Sequence, residues 1–76
     1  MKNFVEYLLV RLIDHPDDLK VTEEEMSDGL KVLINVNSED MGRVIGKGGK
    51  VIKAIRKLVQ VKAARDGIFV RVEIVE

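Results

Sequence analysis

The residues best suited to chemistry form a glycine-rich segment near the middle of the chain, Gly46-Lys47-Gly48-Gly49. Glycine has no Cβ, so a second backbone can come within contact distance of such a loop. The helical pattern that begins directly after it would supply unpaired backbone N–H groups and the positive end of a helix dipole. This combination predicts a binding place for an anionic chain, with phosphate as the expected anion.

The charges of the chain are unevenly distributed, although the net charge is zero with 13 basic and 13 acidic residues. Most acids lie in residues 1–40, and residues 41–65 contain none. A basic patch on a neutral protein favours an anionic partner bound at one surface; the alternative is a solvated helix face balanced by acids elsewhere. The basic residues of the patch are Arg43, Lys47, Lys50, Lys53, Arg56, Lys57, Lys62 and Arg65.

Two nucleotide-binding motifs fail on spacing. The phosphate loop of nucleotide hydrolases requires Gly, four residues, Gly-Lys and then Ser or Thr. Here only three residues separate Gly42 from Gly46, and no hydroxyl residue follows the loop. The dinucleotide fingerprint requires a third glycine where Val51 stands, and a strand where a helix is predicted. A Gly-x-x-Gly loop between two helices remains.

Hydrophobic periodicity predicts six elements around this loop. Pro16 should end the first helix, and Asp28-Gly29 is a strong hairpin signal. Glu39 and Asp40 suit the first turn of a short helix, near the positive end of its dipole, with Asn37 or Ser38 as its cap. The predicted elements are a helix over residues 2–14, strands over 19–27 and 30–36, a short helix over 38–45, a longer helix from 49 or 50 to 64, and a strand over 68–75.

This order predicts an α+β fold in which helices pack on one face of a three-stranded sheet. At 76 residues we expect one domain over residues 1–76. The absence of cysteine excludes disulfides and thiolate metal sites. His15 has no evident catalytic partner, so we expect neither an enzyme nor a cofactor. With no apolar run of membrane-spanning length, we expect no membrane partner and a cytoplasmic protein.

The segment from Val44 to Lys50, Val-Ile-Gly-Lys-Gly-Gly-Lys, resembles the Gly-x-x-Gly loop of KH domains. That loop clamps the backbone of about four nucleotides. Together with the run Lys-Ala-Ile-Arg at residues 53–56, the sequence is similar over essentially its whole length to the small bacterial KhpA-type RNA-binding proteins. The helix-first order resembles the type II KH arrangement.

The resemblance implies a single-stranded RNA site beside the loop. The glycines would admit the RNA backbone, the lysines would neutralise its phosphates, and an apolar groove next to the strand over 30–36 would hold the bases. Val44, Ile45 and Ile52 are expected near the floor of that groove. The alternative is simple core packing, and for Ile45 and Ile52 both interpretations are kept. The predicted RNA-binding residues are Arg43, Val44, Ile45, Gly46, Lys47, Gly48, Gly49, Lys50, Ile52 and Lys53.

The partners implied by the resemblance are a second copy of the chain or a larger KhpB-type protein, with a role as an RNA chaperone or post-transcriptional regulator. Phe4, Tyr7 and Phe69 all lie outside the motif, so stacking on aromatic rings is not expected to strengthen binding. Candidate dimer surfaces are the helix after the loop and the pair Tyr7 and Val10. The competing hypothesis is a protein-assembly module that binds little RNA.

Overall fold

The computed structural model describes residues 1–75, and it contains the six predicted elements in the predicted order. Short 3-10 turns over Pro16–Asp18, Ser38–Asp40 and Lys47–Gly49 precede the first strand and the last two helices. The elements are α1 (Lys2–Leu9), β1 (Lys20–Met26), β2 (Gly29–Asn35), α2 (Met41–Ile45), α3 (Lys50–Asp66) and β3 (Val70–Ile74).

The sheet within residues 1–75 has the strand order β1-β2-β3. β1 and β2 are antiparallel and are joined by a hairpin, whereas β2 and β3 are parallel. Parallel neighbours require a crossover connection long enough to return to the starting edge. Here α2, the glycine-rich segment and α3 make that connection, so the glycines lie at its midpoint.

The predicted packing of helices on one sheet face is confirmed. Alternate strand residues, such as Val21, Val32 and Val72, point to the helices and are buried, whereas Lys20, Glu24 and Arg71 on the other face are exposed. Each helix places apolar side chains against that inner face. The core consists of Val5, Leu9, Ile13, Val21, Val32, Ile34, Val44, Ile52, Ile55, Val59, Ala63, Val70 and Val72.

The first helix is shorter than predicted, because it ends at Leu9 and not at residue 14. The chain tightens there, with the N–H of Leu12 donating to the carbonyl of Leu9 at 2.9 Å. Further on, the N–H groups of Asp14 and His15 donate to the side chain of Asp40 instead of to helix carbonyls. As a result Ile13 still reaches the core, but Leu12 is 36% exposed.

The hairpin turn lies one residue earlier than predicted. Met26 pairs with Gly29, so the two turn residues are Ser27 and Asp28. Gly29 is needed for a different reason: a Cβ there would overlap the carbonyl oxygen of Phe69. That carbonyl accepts a hydrogen bond from the Leu30 N–H at 2.8 Å, which starts the pairing of β2 with β3.

The structure defines the cap before α2 and the position of the Lys62 side chain. Asn37 caps the turn before α2, since its Oδ1 accepts from the N–H of Glu39 at 2.8 Å. Lys62, which falls in the apolar arc of α3, extends its side chain past the core edge. Its Nζ lies 3.4 Å from Asp66 Oδ2 and 5.8 Å from the centre of the Phe4 ring.

Across residues 1–75, none of the helices combines the length and the apolar character needed to cross a lipid bilayer.

Two substitutions should distinguish a glycine that is required by a close backbone contact from one that only lowers helix propensity. Gly29→Ala should lower the free energy of unfolding by at least about 1 kcal/mol, because the new Cβ overlaps Phe69 at a φ of 157°. Gly42→Ala adds its Cβ on α2 where nothing lies within 4 Å, and should raise that free energy by about 0.5–1 kcal/mol. Urea unfolding of both variants measures the contrast; equal effects would contradict it.

Candidate functional site

The glycine-rich segment forms a tight connection between α2 and α3. Gly46 ends α2, donating its N–H to the carbonyl of Gly42 at 2.8 Å, and adopts a φ of 78°. A Cβ at Gly46 would overlap the side chain and backbone nitrogen of Val51. Gly48 and Gly49 also have positive φ, 64° and 77°. Glycine at 46 therefore lets the two helices meet, and the exposed Lys47-Gly48 pair turns outward between them.

Three exposed lysines, Lys47, Lys50 and Lys53, surround this connection. Within the described part of the chain, no carboxylate oxygen lies within 4.0 Å of any of their ammonium groups. Arg43, one turn before Gly46 on α2, differs from them: its guanidinium Nη2 lies 3.0 Å from Asp14 Oδ2. The three lysines thus offer positive charge to an external anion, whereas Arg43 already has an internal partner.

The apolar residues predicted for the groove divide into two groups. Val44 is completely buried and Ile52 is 6% exposed, so both pack in the core between the helices and the sheet. Ile45 and Val51 are only partly buried and pack on the rim of that core. Val44 and Ile52 therefore pack in the core, and their expected place near the floor of an RNA-binding groove stays a prediction. Ile45 and Val51 therefore keep some accessible apolar surface on either side of the loop.

The edge of the sheet that lies next to α3 belongs to β3. β2 pairs along both edges, so its hydrogen-bonding groups point to β1 or β3. The outer edge of β3 lies against α3 instead. Arg56 Nε donates to the carbonyl of Val72 at 3.2 Å, and Gln60 Nε2 donates to the carbonyl of Val70 at 2.7 Å. Arg56 of the basic patch is thereby held against the sheet.

Asp40 has a structural role at this site that the sequence did not reveal. It was predicted only as an acid in the first turn of a short helix, whereas the structure shows it 1% exposed, the single buried polar or charged side chain among residues 1–75. Its two carboxylate oxygens accept from the N–H groups of Asp14 at 2.9 Å and His15 at 3.0 Å. Both oxygens are thus satisfied. Asp40 fastens the segment after α1 to the helix that leads into the glycine loop.

The surroundings of Asp40 keep its carboxyl ionised. Burial by itself raises the pKa of the Asp40 carboxyl, but the hydrogen bonds from Asp14 and His15 and the positive charges of His15 and Arg43 outweigh burial. The net pKa lies below the ordinary value of 3.8. At neutral pH the site therefore contains a fixed buried anion next to Arg43.

A metal centre finds no support in the described residues, since nowhere in residues 1–75 do three His, Asp or Glu side chains come together as a metal ion would require. What the arrangement offers is a narrow glycine connection, three unpaired lysines and two partly buried aliphatic residues. Such a surface is suited to holding a flexible polyanion rather than to bond-making chemistry.

Comparison with known proteins identifies relatives of the whole chain. The family model described as "KhpA/KhpB, KH domain" matches residues 2–74. The "RNA-binding protein KhpA" of Halalkalibacterium halodurans is 40% identical over 76 residues, and that of Listeria monocytogenes serovar 1/2a is 41% identical over 76 residues, covering all of both chains in each case. The protein of the same name from Clostridium perfringens is 40% identical over 75 residues, 99% of this chain and 100% of the relative.

Replacing the buried carboxylate tests its structural role. In Asp40→Asn one amide NH₂ faces a backbone N–H that has lost its acceptor, so thermal unfolding should occur at a lower temperature. Because the pKa of Asp40 is lowered on folding, its stabilising contribution is complete above 3.8 and is lost as pH falls through the lowered value. Urea unfolding should therefore show a smaller difference between native chain and variant at pH 3 than at pH 6.

The matched control for this experiment is Asp28→Asn, which removes the same charge from an exposed hairpin turn. Its unfolding should stay close to that of the native chain at both pH values. A loss of stability in Asp40→Asn that is equal at pH 3 and pH 6 would contradict the role assigned to the ionised carboxylate.

Proposed function

Because the chain belongs to the KhpA/KhpB family of KH-domain proteins, we propose that it binds single-stranded RNA as a single KH domain. RNA binding is the activity named for its relatives. The observation that carries the proposal is the Gly46 connection, flanked by lysines that have no carboxylate partner within residues 1–75. Membership of a family of RNA-binding proteins also agrees with the prediction that the chain is not an enzyme.

The RNA backbone would lie across Lys47-Gly48, where no side chain beyond lysine projects. With no Cβ at Gly48 and nothing within 4 Å of that position, a sugar–phosphate chain can approach the loop directly. Lys47, Lys50 and Lys53 would then neutralise phosphates. For three such contacts on a single strand, the log of affinity should fall with the log of salt concentration with a slope of about −2.

The bases would rest on the partly buried side chains of Ile45 and Val51, supported from beneath by the buried Val44 and Ile52. Duplex RNA is excluded from such a site, because its base edges are not accessible from a shallow aliphatic surface. Aliphatic contact distinguishes bases weakly, so we propose sequence-tolerant binding. That behaviour suits an RNA chaperone or post-transcriptional regulator in the cytoplasm.

One KH domain without aromatic stacking should bind RNA weakly, so we expect two copies to act together. α3 carries an exposed apolar patch, the α3 patch, formed by Leu58 (49% exposed) and Val61 (62% exposed) beside the half-buried Phe4. We propose that a second copy of the chain covers this patch, with a KhpB-type protein as the alternative occupant. Two linked RNA sites raise the effective concentration of the second site without any new base contact.

The double variant Lys47→Asp with Gly48→Asp tests the RNA site. It reverses one charge and adds another at the loop, where both residues are exposed. Aspartate is among the side chains that tolerate the positive φ of Gly48, so the fold should be kept. Retention of a labelled single-stranded RNA on a filter should fall to background at low salt. Circular dichroism should show unchanged helix content.

The control for the loop variant is Asn3→Asp with Lys20→Asp, at two exposed positions of α1 and β1. Like the loop variant, it changes one neutral residue and one lysine to aspartate, so the net charge changes equally. It should bind RNA nearly as well as the native chain. If the loop variant retains RNA with unchanged affinity, the proposed site is wrong. If the native chain forms a stable dimer and retains no RNA at low salt, the protein-assembly hypothesis replaces it.

Sedimentation of Val61→Asp tests the pairing surface. A charge in the centre of the α3 patch should convert a dimer into a monomer, because burying an unpaired carboxylate is strongly unfavourable. Val10→Asp is the matched control, since Val10 is 43% exposed on the rival surface beside Tyr7. Dissociation of the Val10 variant instead would move the interface to α1. If the native chain is a monomer, a KhpB-type protein remains as the proposed occupant of the α3 patch.

A further inference from the structure

The ion pair between Arg43 and Asp14 lies at the edge of the proposed RNA site. Arg43 is on α2, one helical turn before Gly46, and its Nη2 is 3.0 Å from Asp14 Oδ2. Both side chains are well exposed, at 59% and 63%. A phosphate that reached Lys47 could also reach toward Arg43, and would have to compete there with the carboxylate of Asp14.

Asp14 is held in this position by its backbone and not by its own carboxylate. The N–H groups of Asp14 and His15 both donate to the buried Asp40, at 2.9 and 3.0 Å. A second link lies four residues on, where Asn37 Nδ2 donates to Asp18 Oδ2 at 2.8 Å. The segment after α1 is therefore fastened at two points to the residues that lead into α2. The carboxylate of Asp14 is therefore held next to Arg43.

We propose that Asp14 is an affinity-setting residue, an internal competitor that occupies Arg43 until an RNA phosphate displaces it. This inference rests on the proposed RNA-binding function. Asp40 is not a competitor of the same kind, because its two oxygens already accept backbone hydrogen bonds in the core. Asp40 acts as a positioning residue, since it holds the backbone that carries Asp14.

The alternative is that the ion pair only stabilises α2. The two possibilities predict opposite behaviour. Removing a competitor strengthens RNA binding, whereas removing a purely stabilising pair lowers the unfolding temperature and leaves RNA affinity unchanged. Asp14→Asn separates them cleanly, because the backbone N–H that binds Asp40 remains in the variant.

The experiment measures fluorescence anisotropy of a labelled, mixed-sequence single-stranded RNA of about a dozen nucleotides at low salt. Asp14→Asn should bind it about two- to fivefold more tightly than the native chain, the range expected for an exposed ion pair. The matched control is Glu73→Gln, which removes the same charge from an ion pair with Lys31, 3.3 Å long, on the sheet face turned away from the helices. It should change affinity little.

A double-mutant cycle shows whether Asp14 acts through Arg43. In an Arg43→Ala background the Asp14→Asn change should have no further effect on RNA affinity. An equal gain in that background, or from Glu73→Gln, would reduce the effect to net charge and overturn the inference. Unchanged or weaker binding by Asp14→Asn, with RNA binding still abolished by the loop variant, would overturn this inference alone. Absence of RNA binding by the native chain would overturn both proposals.

Discussion

The contact between Gly46 and Val51 is the constraint on which the rest of the molecule depends. Any side chain at residue 46 would overlap the first turn of α3, so glycine alone lets α2 and α3 meet at this distance. The meeting of the two helices directs Val44 and Ile52 into the core above the sheet. The same contact leaves Lys47 and Gly48 outside. One backbone approach thus produces both the packed interior and the exposed loop.

The charged side chains of this small protein are arranged in layers around that contact. The lysines of the loop and of α3 face solvent, where an external polyanion can reach them. Beneath α2, a buried carboxylate at Asp40 binds backbone amides and keeps a low pKa. Between these layers, Arg43 already has a partner in Asp14. A neutral chain can therefore present a strongly basic surface, because its acids are used internally or placed on other faces.

Local sequence patterns predicted the fold well, since hydrophobic periodicity and turn chemistry are properties of neighbouring residues. The order of elements, the inward face of β2 and the termination of α2 at Gly46 are confirmed. The predicted boundaries that proved wrong are those that depend on contacts between residues far apart in the sequence. α1 ends at Leu9, and the amides of Asp14 and His15 at the predicted end of the helix bind Asp40 instead. The hairpin turn lies at Ser27-Asp28, and Gly29 begins β2 in close contact with Phe69.

The sequence by itself determined the glycine–lysine loop, the basic segment around it and the helices on either side, because all three depend on patterns within one continuous stretch, residues 38–65. Only the tertiary structure decided that Asp40 is buried, that Asp14 occupies Arg43 and that Arg56 turns to the edge of β3. The bonds to Asp40 join residues 25 and 26 positions apart, and no local pattern records them. Contacts between residues far apart in the sequence form only when the chain folds around its core.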